Sequence, residues 1–480
     1  MMQNMNTRRR FLRNSAIATA LPGLSLEALA QSTLARRVEW QSFKTTSGYD
    51  SLIGAIRTMK ANTNSADPNS WAYWTNIHIN RCPHGVAYFL SWHRGYLVYF
   101  ERQLRAVSRN SSLVLPYWDY YASSSIPTEF TDPSSTNPLY VPRLNVNVRQ
   151  ALTLAPFSPT VTNFQRGSSN AFEPSIENAP HNPVHDIIGN VMSSMSSPVD
   201  PIFWLHHANV DRLWVAWVAA GGGRKMPVKT SGYWSSSNIY SNALSMPRRS
   251  TYDTRTKLQY FYAKETMPTS LPLAQASVNK FARTHASANE QLSSVPPTGA
   301  FKNSSPTVIG STGFSLGGAM NIGLDRRSVS AQLPVNAEHW EALQEVARGN
   351  RAAVKGSPLK YKSAFLVLDG VELGDAGKNG GFFYQVYLNV PSENSGFNRP
   401  LSLLLGTLGA FQIRGASHHG HGNGHAQLRY PIGSLLRGAS SLRLGLVSVS
   451  FVRVDGDKSP DGAVIGIGEA RLELSTEDGS

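Results

Sequence analysis

His78 to Arg94 reads HINRCPHGVAYFLSWHR, which places three histidines and the chain's single cysteine in one run. From Val86 onward, Phe89, His93, Leu97, Phe100 and Leu104 recur at spacings of three and four, which predicts a helix whose inward stripe includes an imidazole. A buried imidazole needs a hydrogen bond or a metal. His84 and His93 lie two and a half helical turns apart, so both cannot face one way from one straight helix. His84 is therefore expected in the loop before the helix, with Cys82 close enough across Pro83 to restrain its ring.

A second group lies downstream. PHNPVH (180–185) and DPIFWLHHANVDRLW (200–214) supply His181, His185, His206 and His207. His181 and His185 stand at i and i+4, one above the other on a helix predicted over 180–188. Residues 200–218 predict another, capped by Asp200 with Pro201 in its first turn, its core face formed by His207, Val210, Trp214, Trp217 and Val218. A further helix is placed near 50–60 or 72–79. Helices that turn histidines toward a common interior predict a mainly α domain, an antiparallel four-helix bundle around a dinuclear metal site.

Seven of the thirteen histidines thus fall into two clusters, each able to give three imidazoles, which is the arithmetic of two adjacent metal ions. The lack of a carboxylate cage argues against magnesium or calcium. Imidazole suits copper, zinc, iron and nickel. Two similar clusters suit a copper pair able to bridge a small ligand such as dioxygen, and a catalytic zinc with an open fourth position is the rival. Helical position alone does not choose between His206 and His207. Asn209 and Asp211, close by, are candidates to orient ligand rings.

With 41% apolar and 16% charged residues, the 480-residue chain can bury a large core. The net charge of +14 is dispersed, without a basic tract, zinc-finger spacing or RNA-binding aromatic motif, so no nucleic-acid partner is expected. No stretch after the N-terminus is long and apolar enough to predict a membrane span. TRRRFLR (7–13), a mildly apolar stretch and EALAQS resemble a twin-arginine export signal over 1–30, which implies a periplasmic or secreted protein. One cysteine excludes an intrachain disulfide framework.

The helical text runs to about 265, and a Ser, Pro and Ala-rich linker occupies 266–309. Beyond 310 the period changes. SAFLVLDGVEL, GFFYQVYLNV, LGAFQIRGA, SLRLGLVSVSFVRV and EARLELS predict an antiparallel β-sandwich or barrel over 310–480. HHGHGNGH, with His418, His419, His421 and His425, reads as an exposed polar loop.

HINRCPHGVAYFLSWHRGYLVYFER, LPYWDY, IENAPHNPVHDIIG and DPIFWLHHANVDRLW together resemble the two copper-binding regions of the type-3 copper proteins: tyrosinases, catechol oxidases and haemocyanins. The similarity is strong over roughly 40–265 and looser beyond. It implies two copper ions, dioxygen as co-substrate and small phenolic substrates, with oxidation of monophenols to o-diphenols and of o-diphenols to o-quinones. Catechol oxidation alone, or reversible oxygen carriage, are the alternatives.

The resemblance assigns one copper to His78, His84 and His93 and the other to His181, His185 and His207, leaving His206 beside the site. It implies a thioether between Cys82 and the His84 ring, a water-holding carboxylate at Glu177 (with Glu173 as the alternative), and Asn182 as a residue of hydroxylating members. Where some catechol oxidases carry a phenylalanine over one copper, this chain has Ser194, which implies an open mouth. The strand-rich region resembles the C-terminal domain of latent polyphenol oxidases, and a side chain at a strand end, Phe411 among them, is expected to reach the substrate position.

Overall fold

The computed structural model describes residues 34–273, 295–391, 401–419, 425–437 and 447–478. The segment read as an export signal, residues 274–294 of the linker and the centre of HHGHGNGH lie outside the described residues.

Both alternatives for the uncertain helix are present: α1 (Gly48–Ala61) and α2 (Trp71–Arg81). Ser70 caps α2 by accepting the Ala72 N–H, and Trp71, Trp74, Thr75 and His78 form its buried stripe, so His78 enters the interior with the tryptophans. The helix stops at Cys82, before Pro83. His84 lies in the connecting loop, and α3 (Phe89–Ser108) begins after Tyr88, which holds a left-handed conformation at φ 76°.

The helix predicted from 180 begins later. Glu177–His181 forms a wide turn containing Pro180, and α4 spans Asn182–Ile188. α5 covers Ile202–Ala219, its first amide held by Asp200 Oδ1 at 3.0 Å. Phe100 of α3 stacks on Trp204 of α5 with ring centroids 3.4 Å apart, and Trp71 of α2 packs edge-on against both.

Buried charge ties this region together. Asp211 on α5 accepts from Arg94 Nε at 2.5 Å and from the hydroxyls of Tyr260 and Tyr262 at 2.6 Å each. The Arg94 guanidinium lies 3.3 Å from the Trp214 ring centroid. Arg37 Nε donates to Glu101 at 2.9 Å. Arg37 belongs to β1 (Ala35–Arg37), which pairs in parallel with β2 (Tyr260–Tyr262) and so clasps the two ends of the helical part. Deleting one partner of such a buried pair costs about 3–5 kcal/mol.

The C-terminal part is built on strands β3 (Gly313–Leu324), β4 (Val329–Leu333), β5 (Ser363–Leu373), β6 (Phe382–Val390), β7 (Leu401–Gly409), β8 (Ala426–Pro431), β9 (Val447–Asp455) and β10 (Ile465–Ser475). One sheet runs β8-β5-β10-β3 with short edge strands at 302–304 and 307–309, and a second runs β7-β6-β9-β4. The labelled strands pair antiparallel, and Leu366, Leu472 and Leu316 of the first sheet share an apolar cluster with Val386, Val449 and Ala331 of the second. Helix α6 (Ala337–Arg348) packs on this cluster through Trp340, Leu343 and Val346.

One predicted strand is corrected. LGAFQIRGA ends β7 at Gly409 and then turns into a helix, α7 (Ala410–His419), because a carboxylate from the helical part, Asp186 Oδ1, receives the Phe411 N–H at 2.8 Å. Phe411 therefore sits in the first turn of a helix rather than at the end of a strand. The two parts are joined elsewhere by Lys458 N–H on Asn145 Oδ1 (2.6 Å), Asn190 N–H on Asn379 O (2.7 Å) and Thr407 Oγ1 on Asn178 O (2.9 Å). No described helix is long and apolar enough to cross a membrane.

Candidate dinuclear metal centre

Two buried clusters face one another: His78, Cys82, His84 and His93, and His181, His185, His206 and His207. Within each, the potential ligand atoms all lie within 4.8 Å of one another. The clusters meet through His93 and His207, stacked at 4.2 Å, and through His84 and His181, whose centroids are 5.9 Å apart.

The hydrogen bonds at Nδ1 determine what the rings can do. His78 Nδ1 lies 2.7 Å from the Met195 carbonyl, His93 Nδ1 2.9 Å from that of Phe89, and His185 Nδ1 2.8 Å from that of Met192. A carbonyl oxygen only accepts, so each Nδ1 carries the proton and each Nε2 presents a lone pair. Asn182 Oδ1, 2.8 Å from His181 Nδ1, sets that ring the same way. The Nε2 atoms of His181 and His185 then point at His207 Nε2 from 3.3 and 3.4 Å. Three ring nitrogens thus converge on one point, the arrangement that a cation coordinated by imidazoles requires.

Burial also disfavours the charged form of several of these rings. Burial, reinforced by neighbouring imidazoles, holds His93, His181, His185 and His207 well below the usual histidine range. Neutral imidazole with a free Nε2 is the ligand form of histidine, and the donor set matches the soft-to-borderline metals rather than oxygen-loving ones.

His206 shares the second cluster, but its ring lies parallel to His181 at 5.3 Å and beside Tyr120 at 5.8 Å. Burial pushes its pKa down to about 3. Among the described residues neither of its nitrogens has a hydrogen-bond partner, whereas His207 Nε2 is the atom on which the other two converge.

Cys82 Sγ lies 3.6 Å from His84 Nε2, and closer still, 3.2 Å, to His93 Nε2. Burial, with the Glu177 charge adding, pushes its thiol well up. The cysteine thus touches both rings.

The carboxylates are engaged. Glu177 is buried, with Oε1 accepting Gly85 N–H at 2.6 Å and Oε2 paired with Arg166. Its pKa is raised by burial, against the opposing Arg166 and Gly85 interactions. Glu173 accepts from Tyr233 OH at 2.7 Å and from the Leu90 N–H at 3.4 Å, and burial pushes it up to about 7. Asn209 and Asp211 do not orient ligand rings: Asn209 Oδ1 accepts from Arg212 Nε at 2.7 Å, and Asp211 is spent on the Arg94 and tyrosine network. Main-chain carbonyls take that role for His78, His93 and His185, and no side-chain pattern encodes them.

At position 194, where an open mouth is expected, a small side chain is held aside. Ser194 Oγ closes a local turn on Val191 O at 2.8 Å. The space beyond is filled from α7: the Phe411 ring stacks on His185 at 4.0 Å and 10° and meets His84 edge-on at 4.9 Å. Gly415 follows one turn later, where an added Cβ would lie 3.5 Å from His84 Cβ.

Comparison with known proteins places this geometry. A model of the common central domain of tyrosinase matches residues 48–149 and 134–220. A tyrosinase of Hahella sp. (strain CCB-MM4) is 36% identical over 188 residues, covering 31% of this chain and 40% of that protein. Catechol oxidase B of Solanum tuberosum is 29% identical over 230 residues, covering 36% of this chain and 39% of its own length. The chain therefore spans well under half the length of both relatives. The solved structure of latent apple tyrosinase, at 19% identity and a TM-score of 0.50, covers 92% of this chain and 97% of its own, so the likeness in fold extends through the C-terminal part. The stretch that carries both histidine clusters, residues 48–220, thus matches the common central domain of tyrosinase, and the whole described chain resembles latent apple tyrosinase in fold.

Proposed function

We propose that the protein oxidises small phenols with dioxygen, hydroxylating monophenols and converting o-diphenols to o-quinones, and that its C-terminal part holds it latent. The two buried histidine clusters that face one another across the His93–His207 stack carry this reading. His78, His84 and His93 would hold one copper and His181, His185 and His207 the other. Bound copper supplies the route by which electrons pass from phenol to dioxygen. Two o-diphenols and one dioxygen give two o-quinones and two waters, and one monophenol with one dioxygen gives one o-quinone and one water.

The chain's own residues must position the phenol and take its proton, which an ordinary phenol holds to a pH of about 10. Glu177, on the amide next to His84, supplies a buried carboxylate at the edge of the site for that transfer through water. Asn182 fixes His181 in the tautomer that frees Nε2. The stacking of Phe411 on His185 puts an aromatic ring where a phenol ring would lie, which supports latency. The placement of α2 to α5 around the site supports an antiparallel four-helix bundle, and two sheets on one apolar cluster support a sandwich. The twin-arginine-like start supports export of the folded chain.

Three outcomes are expected. His207→Ala should cost one copper per chain by metal analysis while His206→Ala keeps both; the reverse would overturn the ligand assignment. In oxygen-uptake assays, Phe411→Ala should raise kcat/KM for an o-diphenol about ten- to hundredfold at unchanged copper, the equivalent of withdrawing one buried phenylalanine. Hydroxylation of a monophenol by the same variant separates this reading from catechol oxidation alone, and oxygen binding without turnover of either substrate would identify a carrier. Finally, a Cys82 to His84 thioether should make the copper-matured chain two hydrogens lighter than the metal-free chain and leave Cys82 unlabelled by a thiol reagent after unfolding. Full labelling would show that the sulfur only packs against the rings.

A further inference from the structure

Asp186 follows His185 directly, and the C-terminal part grips it twice. Its carbonyl accepts the Gly381 N–H at 2.7 Å, and its carboxylate accepts the Phe411 N–H at 2.8 Å in the first turn of α7. The carboxylate is wholly buried and forms no ion pair among the described residues; the amides of the α7 N-terminus face it, and Arg414 adds a more distant positive charge. The approach is close enough to demand glycine before the helix: a Cβ on Gly409 would lie 2.1 Å from Asp186 Oδ2. One turn on, Arg414 steadies the same helix by donating to Ser193 O at 2.8 Å and to Lys378 O at 2.6 Å.

We infer that Asp186 is the positioning residue that keeps Phe411 in the site, its carboxylate holding the amide of the blocking residue itself. The bond acts on the residue whose ring stacks on His185, so its loss would free the ring without disturbing the sheets behind it. This inference rests on the reading of Phe411 as the obstruction. A tethered ring competes with substrate, so releasing it raises the fraction of chains open to substrate. Apparent KM then falls while kcat stays near that of the parent.

The test uses the full-length, copper-loaded chain and four variants: Phe411→Ala, Asp186→Ala, Asp186→Asn and Gly409→Val, the last acting from the C-terminal side. Each is read by copper content, by kcat and KM for an o-diphenol, and by amide hydrogen exchange across 409–417. Asp186→Ala and Gly409→Val should lower apparent KM about tenfold or more, the scale of one hydrogen bond to a buried carboxylate. Both should retain two coppers and speed exchange at Phe411, while Asp186→Asn, which keeps an acceptor oxygen, stays latent. If Phe411→Ala is released but Asp186→Ala and Gly409→Val remain as latent as the parent, the positioning role is overturned and the obstruction stands. Equal release of Asp186→Asn and Asp186→Ala overturns the hydrogen-bond basis. A latent Phe411→Ala with full copper overturns the obstruction and the positioning role together.

Discussion

The site depends on a proton placed on the far side of four of its rings. An imidazole has one N–H and one lone pair, and a fixed oxygen at Nδ1 decides which nitrogen faces inward. Met195 O, Phe89 O, Met192 O and Asn182 Oδ1 make that decision for His78, His93, His185 and His181. Two of those oxygens come from the 190–199 segment between α4 and α5, so this connection is part of the metal centre. Phe89 accepts from His93 across one turn of α3, which couples ring orientation to the helix itself. The Arg94 and Asp211 pair, one residue from His93 and one turn from His207, fixes α3 against α5 and so sets how far apart the two clusters lie.

Much of this was legible in the sequence because it rests on periodicity. His78, His93 and His207 each lie in a stripe of large apolar residues, and a stripe at helical spacing has one inward face. The loop position of His84 followed from helical geometry alone. The choice of His207 over His206 did not: adjacent residues on a buried helix both lie inside, and only the direction of the Nε2 atoms separates them. Carbonyl partners escape any reading of residue types, since every residue has one.

LGAFQIRGA was misread for a different reason. Its apolar residues fit a strand as well as a buried helix turn, and the signal that decides between them, Asp186, lies more than two hundred residues earlier in the chain. Asn209 and Asp211 were misplaced because their neighbours in sequence are ligands, while their neighbours in space are Arg212, Arg94 and two tyrosines. Ser194 describes the mouth of the helical part by itself, and α7 covers that mouth. In the first two cases a contact from distant sequence overrode a sound local inference.

The central claim is that two sets of three imidazole nitrogens hold two neighbouring copper ions. X-ray absorption at the copper edge of the loaded full-length protein tests it most directly. The account predicts two coppers per chain, each with nitrogen ligands and separated by about 3.5–4 Å, the range of paired metal sites. A single copper per chain, or a copper bound by the Cys82 sulfur in place of an imidazole, would contradict it.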